Sequence, residues 1–181
     1  MKKILPIIMA FVTSLFFASC VMDKMRPPVI EEALIEMPAG GTSSAVATTR
    51  HGTIGSTFNI NGLTITLSNA YEYDYSSYTN KPGHVFLVFV FEIKNNNSTT
   101  VSISSTRNFS AYVDNYLTPL DQAAIDVASY DGFYPIDGTI ASGRSIKGIV
   151  GYEIPKDWQE FEVEFTRSPN KDKVVFAVVA R

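Results

Sequence analysis

The ten residues Val85 to Lys94, V-F-L-V-F-V-F-E-I-K, constrain the fold of this chain more than any others. Eight of them are apolar, and all of those except Leu87 are β-branched or aromatic. The run is too short for a membrane span and too aromatic for a favoured helix. Asn95-Asn96-Asn97 closes it. It reads as a β-strand buried on both faces. The rest of the domain is expected to cover it.

The flanking sequence is rich in β-signals and poor in helical period. Thr53 to Ile60 reads as a first strand, ended by Asn61-Gly62, the strongest short hairpin signal. Leu63 to Tyr73 alternates, with Leu63, Ile65 and Leu67 on one face and Thr64, Thr66 and Ser68 on the other. Asp74 to Gly83 is a polar loop, and Asn95 to Ser98 turns the chain after the central strand. Thr99 to Ser104 and Phe109 to Val113 offer two short strands before the Asp114-Asn115 turn. Leu117 to Gly143 reads as long and irregular, with a strand-like piece at Ala124 to Tyr130. Arg144 to Ile154 returns to strand, broken by Pro155-Lys156-Asp157. Phe161, Val163 and Phe165 alternate with Glu160, Glu162 and Glu164, and Lys173 to Ala180 closes the domain. Seven to nine short strands at this spacing predict an all-β, antiparallel β-sandwich.

The single cysteine excludes an internal disulfide, so the core holds itself together. Its position matters more. Met1-Lys2-Lys3 precedes an apolar stretch from Ile4 to Phe17, the layout of a secretory signal. The stretch ends in Phe17-Ala18-Ser19-Cys20, which resembles the lipobox of bacterial lipoproteins. That resemblance implies a signal peptide over residues 1–19. It also implies that Cys20 carries a diacylglycerol, with palmitate-type chains, and becomes the new N-terminus. Phe17 stands where Leu is usual. Two or three acyl chains anchor stably at about 0.8 kcal/mol per buried methylene. The expected location is extracytoplasmic: the outer face of the cell membrane, or the outer membrane where a cell has two. An ordinary cleaved signal with a nearby cysteine is the alternative.

Residues 20–51 contain Pro27-Pro28, Pro38 and Gly40-Gly41-Thr42-Ser43-Ser44, the composition of a flexible tether. Glu31 to Met37 is long enough for only two helical turns. Residues 52–181 then form the domain. The net charge is −3, and −5 once Lys2 and Lys3 leave with the signal, which argues against nucleic acid as a partner.

Three segments carry a further resemblance. They are G-S-T-F-N-I-N-G-L-T-I-T-L-S-N-A from Gly55, H-V-F-L-V-F-V-F-E-I-K-N-N-N-S-T-T-V-S-I-S from His84, and I-A-S-G-R-S-I-K-G-I-V-G-Y-E-I-P-K-D-W from Ile140. Their order is similar to an immunoglobulin-like domain of unknown function found in bacterial lipoproteins, a family related to a secreted mycobacterial immunoprotective antigen. The resemblance spans roughly Gly52 to Val179. It implies that the antiparallel β-sandwich is immunoglobulin-like, and it brings no catalytic residues with it.

Residues in a pattern that points to chemistry are few. His51 and His84 have no ligand spacing, and no G-x-S-x-G elbow exists. No metal or cofactor is expected, although Asp121, Asp126, Asp131 and Asp137 leave a calcium loop as an alternative. Tyr71, Tyr73, Tyr75 and Tyr78 form one aromatic cluster, and Tyr130, Phe133 and Tyr134 another. Loop tyrosines make good contact residues, because a large rigid area is ordered at low entropic cost. Tyr75, Tyr78, Tyr130, Phe133 and Tyr134 are thus candidate ligand contacts; strand packing explains Tyr71 and Tyr73 equally well. Trp158 is expected to be a lid on the sandwich. Glu160, Glu162 and Glu164 are expected to form a wet strip that discourages edge pairing. The sequence thus predicts a non-enzymatic binding module, with an envelope protein, host molecule or surface polymer as partner. Alternatives are a structural or stress-response envelope protein and a calcium-binding or hydrolytic domain.

Overall fold

A computed structural model describes residues 25–26, 48–74, 81–167 and 172–180. The signal segment, Cys20, Glu31 to Met37, most of the tether, and Tyr75 and Tyr78 lie outside the described residues. Among the described residues, no helix is long and apolar enough to cross a membrane.

The elements in chain order are β1 (Met25–Arg26), β2 (Thr49–Gly52), β3 (Thr57–Ile60), β4 (Leu63–Tyr73), β5 (His84–Asn95), β6 (Val101–Ile103) and α1 (Ser105–Asn108). Then follow β7 (Phe109–Val113), β8 (Tyr116–Thr118), α2 (Gln122–Ser129), β9 (Gly138–Ile140), β10 (Ser145–Pro155), β11 (Glu160–Thr166) and β12 (Lys173–Val179). One five-stranded sheet has the order β1-β4-β5-β10, with β3 also paired to β4. The other runs β2-β12-β11-β7-β8, and β6 pairs with β9 apart from both. The chain is a β-sandwich whose described strands pair antiparallel, except that β2 runs parallel to β12. The twelve strands among the described residues exceed the expected seven to nine, because two- to four-residue strands pair without leaving a periodic signature.

β5 is the doubly buried strand that its sequence demands. Val85, Leu87, Phe89, Phe91 and Ile93 face the opposite sheet, and Phe86, Val88 and Val90 face outward under a second apolar layer. Aromatic rings join the sheets: Phe89 lies 5.0 Å from Phe161, and Phe91 lies 5.4 Å from Phe176. Such pairs add about 0.5–1.5 kcal/mol each beyond their buried area. Asn61 (φ 49°) and Gly62 (φ 75°) make the β3–β4 turn, with the two positive φ values that a type I′ hairpin requires. Asp114 and Asn115, at φ 47° and 69°, do the same between β7 and β8. The buried Asn95 ends β5 with its amide fully engaged. Its Nδ2 donates to the carbonyls of Thr99 and Ile140, and its Oδ1 accepts from the Asn97 backbone and side chain.

Four sequence expectations are corrected. Ala124 to Tyr130 is not a strand; it falls within and after α2, whose Ala124, Ile125, Val127 and Ala128 are buried on the outer face of β5 and β10. Asp121 caps this helix, its side chain accepting from the Ala124 backbone N–H at 3.0 Å. Phe133 N–H bonds the Ala128 carbonyl and Gly132 N–H that of Ser129, with Gly132 at φ 82°, which is a Schellman end. Second, the strand expected over Thr53 to Ile60 begins only at Thr57, because Ser56 N–H bonds the Thr53 carbonyl in a turn through Gly55 (φ 85°). Third, Thr49–Gly52 belongs to a sheet rather than to the tether, since β12 lends it a parallel partner. Fourth, the glutamates of β11 do not guard an edge. β11 lies between β12 and β7, and Lys173 of β12 reaches Glu164 at 2.6 Å.

Candidate functional site

The outer face of the β4-β5-β10 sheet carries the aromatic loop, and a local irregularity in β4 prepares it. A bulge between Leu67 and Asn69 shifts the register. Leu63, Ile65 and Leu67 face the sandwich interior before it, and Ala70 does so after it. Tyr71 and Tyr73 thereby turn to the outer layer. Tyr73 is fully buried there, and Tyr71 is half-buried with its ring 5.4 Å from Phe133. Phe133 thus pins the end of α2 to the sheet. Two β10 glycines make room for this docking. A Cβ on Gly151 would lie 2.8 Å from Ala124 Cβ, and one on Gly148 would lie 2.6 Å from Ile136 Cα.

The tyrosines on either side of Phe133 point the other way. Tyr130 is 75% exposed and Tyr134 is 72% exposed. Their backbone is held firmly: Tyr130 N–H bonds the Val127 carbonyl, and Ile149 N–H donates to the Tyr134 carbonyl at 2.8 Å. Of the five sequence candidates, the structure therefore brings Tyr130, Phe133 and Tyr134 to one loop. The first and last face outward, whereas Phe133 is an anchor. Tyr75 and Tyr78 lie outside the described residues.

Most of the remaining candidates take structural roles. Trp158 is 2% exposed, and its Nε1–H donates to Glu72 Oε2 at 3.3 Å, as a lid would. Asp121 caps α2, Asp126 accepts from Gln122, and Asp137 accepts from the Ser105 N–H and hydroxyl. Among the described residues, no three His, Cys, Asp or Glu side chains are grouped to hold a metal ion. His51 is exposed on β2, and the His84 ring lies 3.3 Å from the Pro82 carbonyl oxygen.

Two features were not anticipated. Tyr116 and Leu117, on the edge strand β8, are 77% and 70% exposed. Just beyond them, where the chain leaves one sheet for the other, lies a cleft of about 330 Å³. Phe109, Ala111, Thr118, Pro119, Leu120 and Tyr152 line it, with Thr106 and Ser110 beside them. Tyr152 is 1% exposed, and its hydroxyl has no hydrogen-bond partner among the described residues. Burial pushes this phenol well above its usual range, so it stays protonated. Nothing local in the sequence marks the cleft, because Tyr152 joins the Thr106 to Leu120 stretch from thirty-two residues beyond its end.

The sequence pattern of the family described as "Domain of unknown function (DUF4352)" matches residues 52–175. The chain belongs to this family. Comparison with curated protein sequences found no match. Among solved structures, the DUF4352 chain is similar to the ycdA protein of Bacillus subtilis, provisionally described as a lipoprotein. The TM-score is 0.55 at 15% identity over 68% of this chain, which spans only 38% of that protein's chain. It is also similar to the yjhA protein of Bacillus subtilis (TM-score 0.52, 15% identity, 69% of this chain and 97% of that one). A functionally unknown protein of Listeria monocytogenes matches with a TM-score of 0.53 at 14% identity, over 72% of this chain and 84% of that one. At such identities the likeness is one of fold alone.

Proposed function

We propose that this chain is a lipid-anchored, extracytoplasmic, non-catalytic module that binds a partner through the loop carrying Tyr130 and Tyr134. The partner is an envelope protein, a host protein or a surface polymer. The observation that carries the reading is the exposure of these two large side chains on a backbone fixed by α2, Phe133 and β10. Exposed tyrosines on a rigid support give up little freedom on binding and offer both apolar area and a hydroxyl. The lipid anchor is Cys20, supported by its place after Ala18-Ser19 and by the provisional description of ycdA as a lipoprotein. Kinship with the secreted mycobacterial antigen is part of the same proposal.

The test is a crosslinked pull-down from intact cells with full-length protein, wild type against Tyr130→Ala/Tyr134→Ala. A discrete partner recovered by wild type and lost in the double variant supports the reading. Equal recovery by both refutes the tyrosine loop, and no specific recovery favours a purely structural envelope role. The anchor has its own readout: Cys20→Ala should lose both labelling by a palmitate analogue and membrane association.

A further inference from the structure

The described residues of the 20–51 stretch meet the sandwich in two places, at opposite ends. β1 adds to the edge of β4, with Met25 opposite Tyr73 and Arg26 opposite Glu72. β3 covers the other half of that edge, from Leu63 to Thr66, so β1 pairs with a part that β3 leaves open. The pairing is antiparallel, so the chain preceding Met25 leaves past the C-terminal end of β4. That end is knitted around Trp158. Its Nε1–H donates to Glu72, its ring lies 6.5 Å from Phe161 of the other sheet, and the neighbouring Lys156 bonds Asp74 at 2.9 Å. β2 enters at the other end. Thr48 N–H donates to Asp172 at 3.0 Å, Thr49 pairs with Lys173, and Arg167 reaches the Asn61 carbonyl of the β3–β4 turn at 2.6 Å. The eleven residues of β10 span the distance between the two ends, about 35 Å.

We propose that β1 fixes which end of the sandwich meets the membrane: docked on β4, it holds the Trp158 end against the lipid surface. The proposal rests on the reading of Cys20 as the lipid anchor. Cys20 stands five residues before Met25, and five residues reach at most about 17 Å. Without the docking, the leash would run from Cys20 to Thr49, with a root-mean-square reach of about 30 Å, and would enter at the far end instead. Charge does not hold the Trp158 end to anionic headgroups, since it carries Asp74, Asp114, Glu153 and Asp157 against Lys81 and Lys156. The short leash does. The tyrosine loop, bonded to β10 at Ile149, then stands about 20 Å along the strand from Pro155 and faces sideways, clear of the bilayer.

The test is the height of each end above a bilayer. The chain has one cysteine, and lipidation consumes its thiol, so an introduced cysteine can be labelled alone. Asp157→Cys marks the Trp158 end and Ser98→Cys the far end; both positions are exposed. The lipidated full-length proteins would be placed in phosphatidylcholine vesicles carrying a headgroup-linked acceptor dye, and energy transfer from a donor on each cysteine measured. The expected result is strong transfer from the Asp157 position and several-fold weaker transfer from the Ser98 position. Met25→Pro/Arg26→Pro removes both β1 N–H groups, and should abolish or reverse that difference while the protein stays on the vesicles. Equal transfer from the two positions, or stronger transfer from Ser98, in protein that stays bound refutes the docking and leaves the anchor standing. A difference that survives the proline pair also refutes it. Protein that does not stay on the vesicles refutes the anchor, and this orientation with it. Should the proline variant not fold, the comparison of the two labels in the otherwise unaltered chain decides.

Discussion

Gly151→Ala is the substitution that most directly tests how the tyrosine loop is held. The new Cβ would stand 2.8 Å from Ala124 Cβ and 3.3 Å from both Ala124 C and Ile125 Cδ1. Carbon atoms in contact prefer about 3.5–4.0 Å, so the nearest approach is short by roughly 0.7–1.2 Å. Ala124 is the first buried residue of α2 and has no side chain to swing aside, so helix and sheet have to part. Overpacking of this kind costs about 1–3 kcal/mol. Gly151 is not among the positive-φ glycines, so alanine also gains about 0.4–1 kcal/mol by restricting the unfolded chain. The net expectation is a loss of about 1–2 kcal/mol, read as a lower urea midpoint at unchanged m-value. A double-mutant cycle with Ala124→Gly isolates the contact. Alone, Ala124→Gly costs about 1 kcal/mol in helix propensity and more for the lost methyl. Combined with Gly151→Ala it relieves the clash, for a coupling of about 1–2 kcal/mol. Additivity within about 0.3 kcal/mol would mean that α2 does not rest on Gly151, and the account of the loop's rigidity would fall with it.

Two further outcomes follow from local geometry. Asn95→Ala strips the Thr99 and Ile140 carbonyls and the Asn97 N–H of their buried partner, and should cost about 2–4 kcal/mol by urea unfolding; under about 1 kcal/mol would contradict the network. The hydrogen bond to Glu164 raises the Lys173 pKa above its usual 10.5. The raised folded value means that the pair's contribution is complete below about pH 10 and fades as pH rises through that value. Thermal melts of wild type and Glu164→Gln should therefore differ by a modest margin at pH 8 and converge at strongly alkaline pH.

Local pattern decided what local physics controls. β5 was legible because both apolar faces lie within one run of residues, and the two type I′ turns because Asn61-Gly62 and Asp114-Asn115 tolerate positive φ by themselves. The β11 alternation and the Trp158 lid were likewise visible in sequence. Of the candidate site, Tyr130 and Tyr134 were legible as loop tyrosines, but Phe133 as an anchor was not, since its partner Tyr71 lies sixty-two residues away. Short Q-A-A-I-D-V-A-S satisfies strand alternation as well as helical period. Its Asp121 cap and the Gly132 end were signals for a helix, and the groove over Gly151 gives that helix its place. The parallel pairing of β2, the neighbours on both sides of β11, the β4 bulge that turns Tyr71 outward, and the cleft at Tyr152 arise only when distant segments meet. The sequence by itself determined which residues prefer a pleated, half-buried backbone and where the chain reverses, because those preferences act within a few bonds. Tertiary structure decided which edges pair and which faces are covered, because pairing and burial depend on partners that the chain supplies from far along its length.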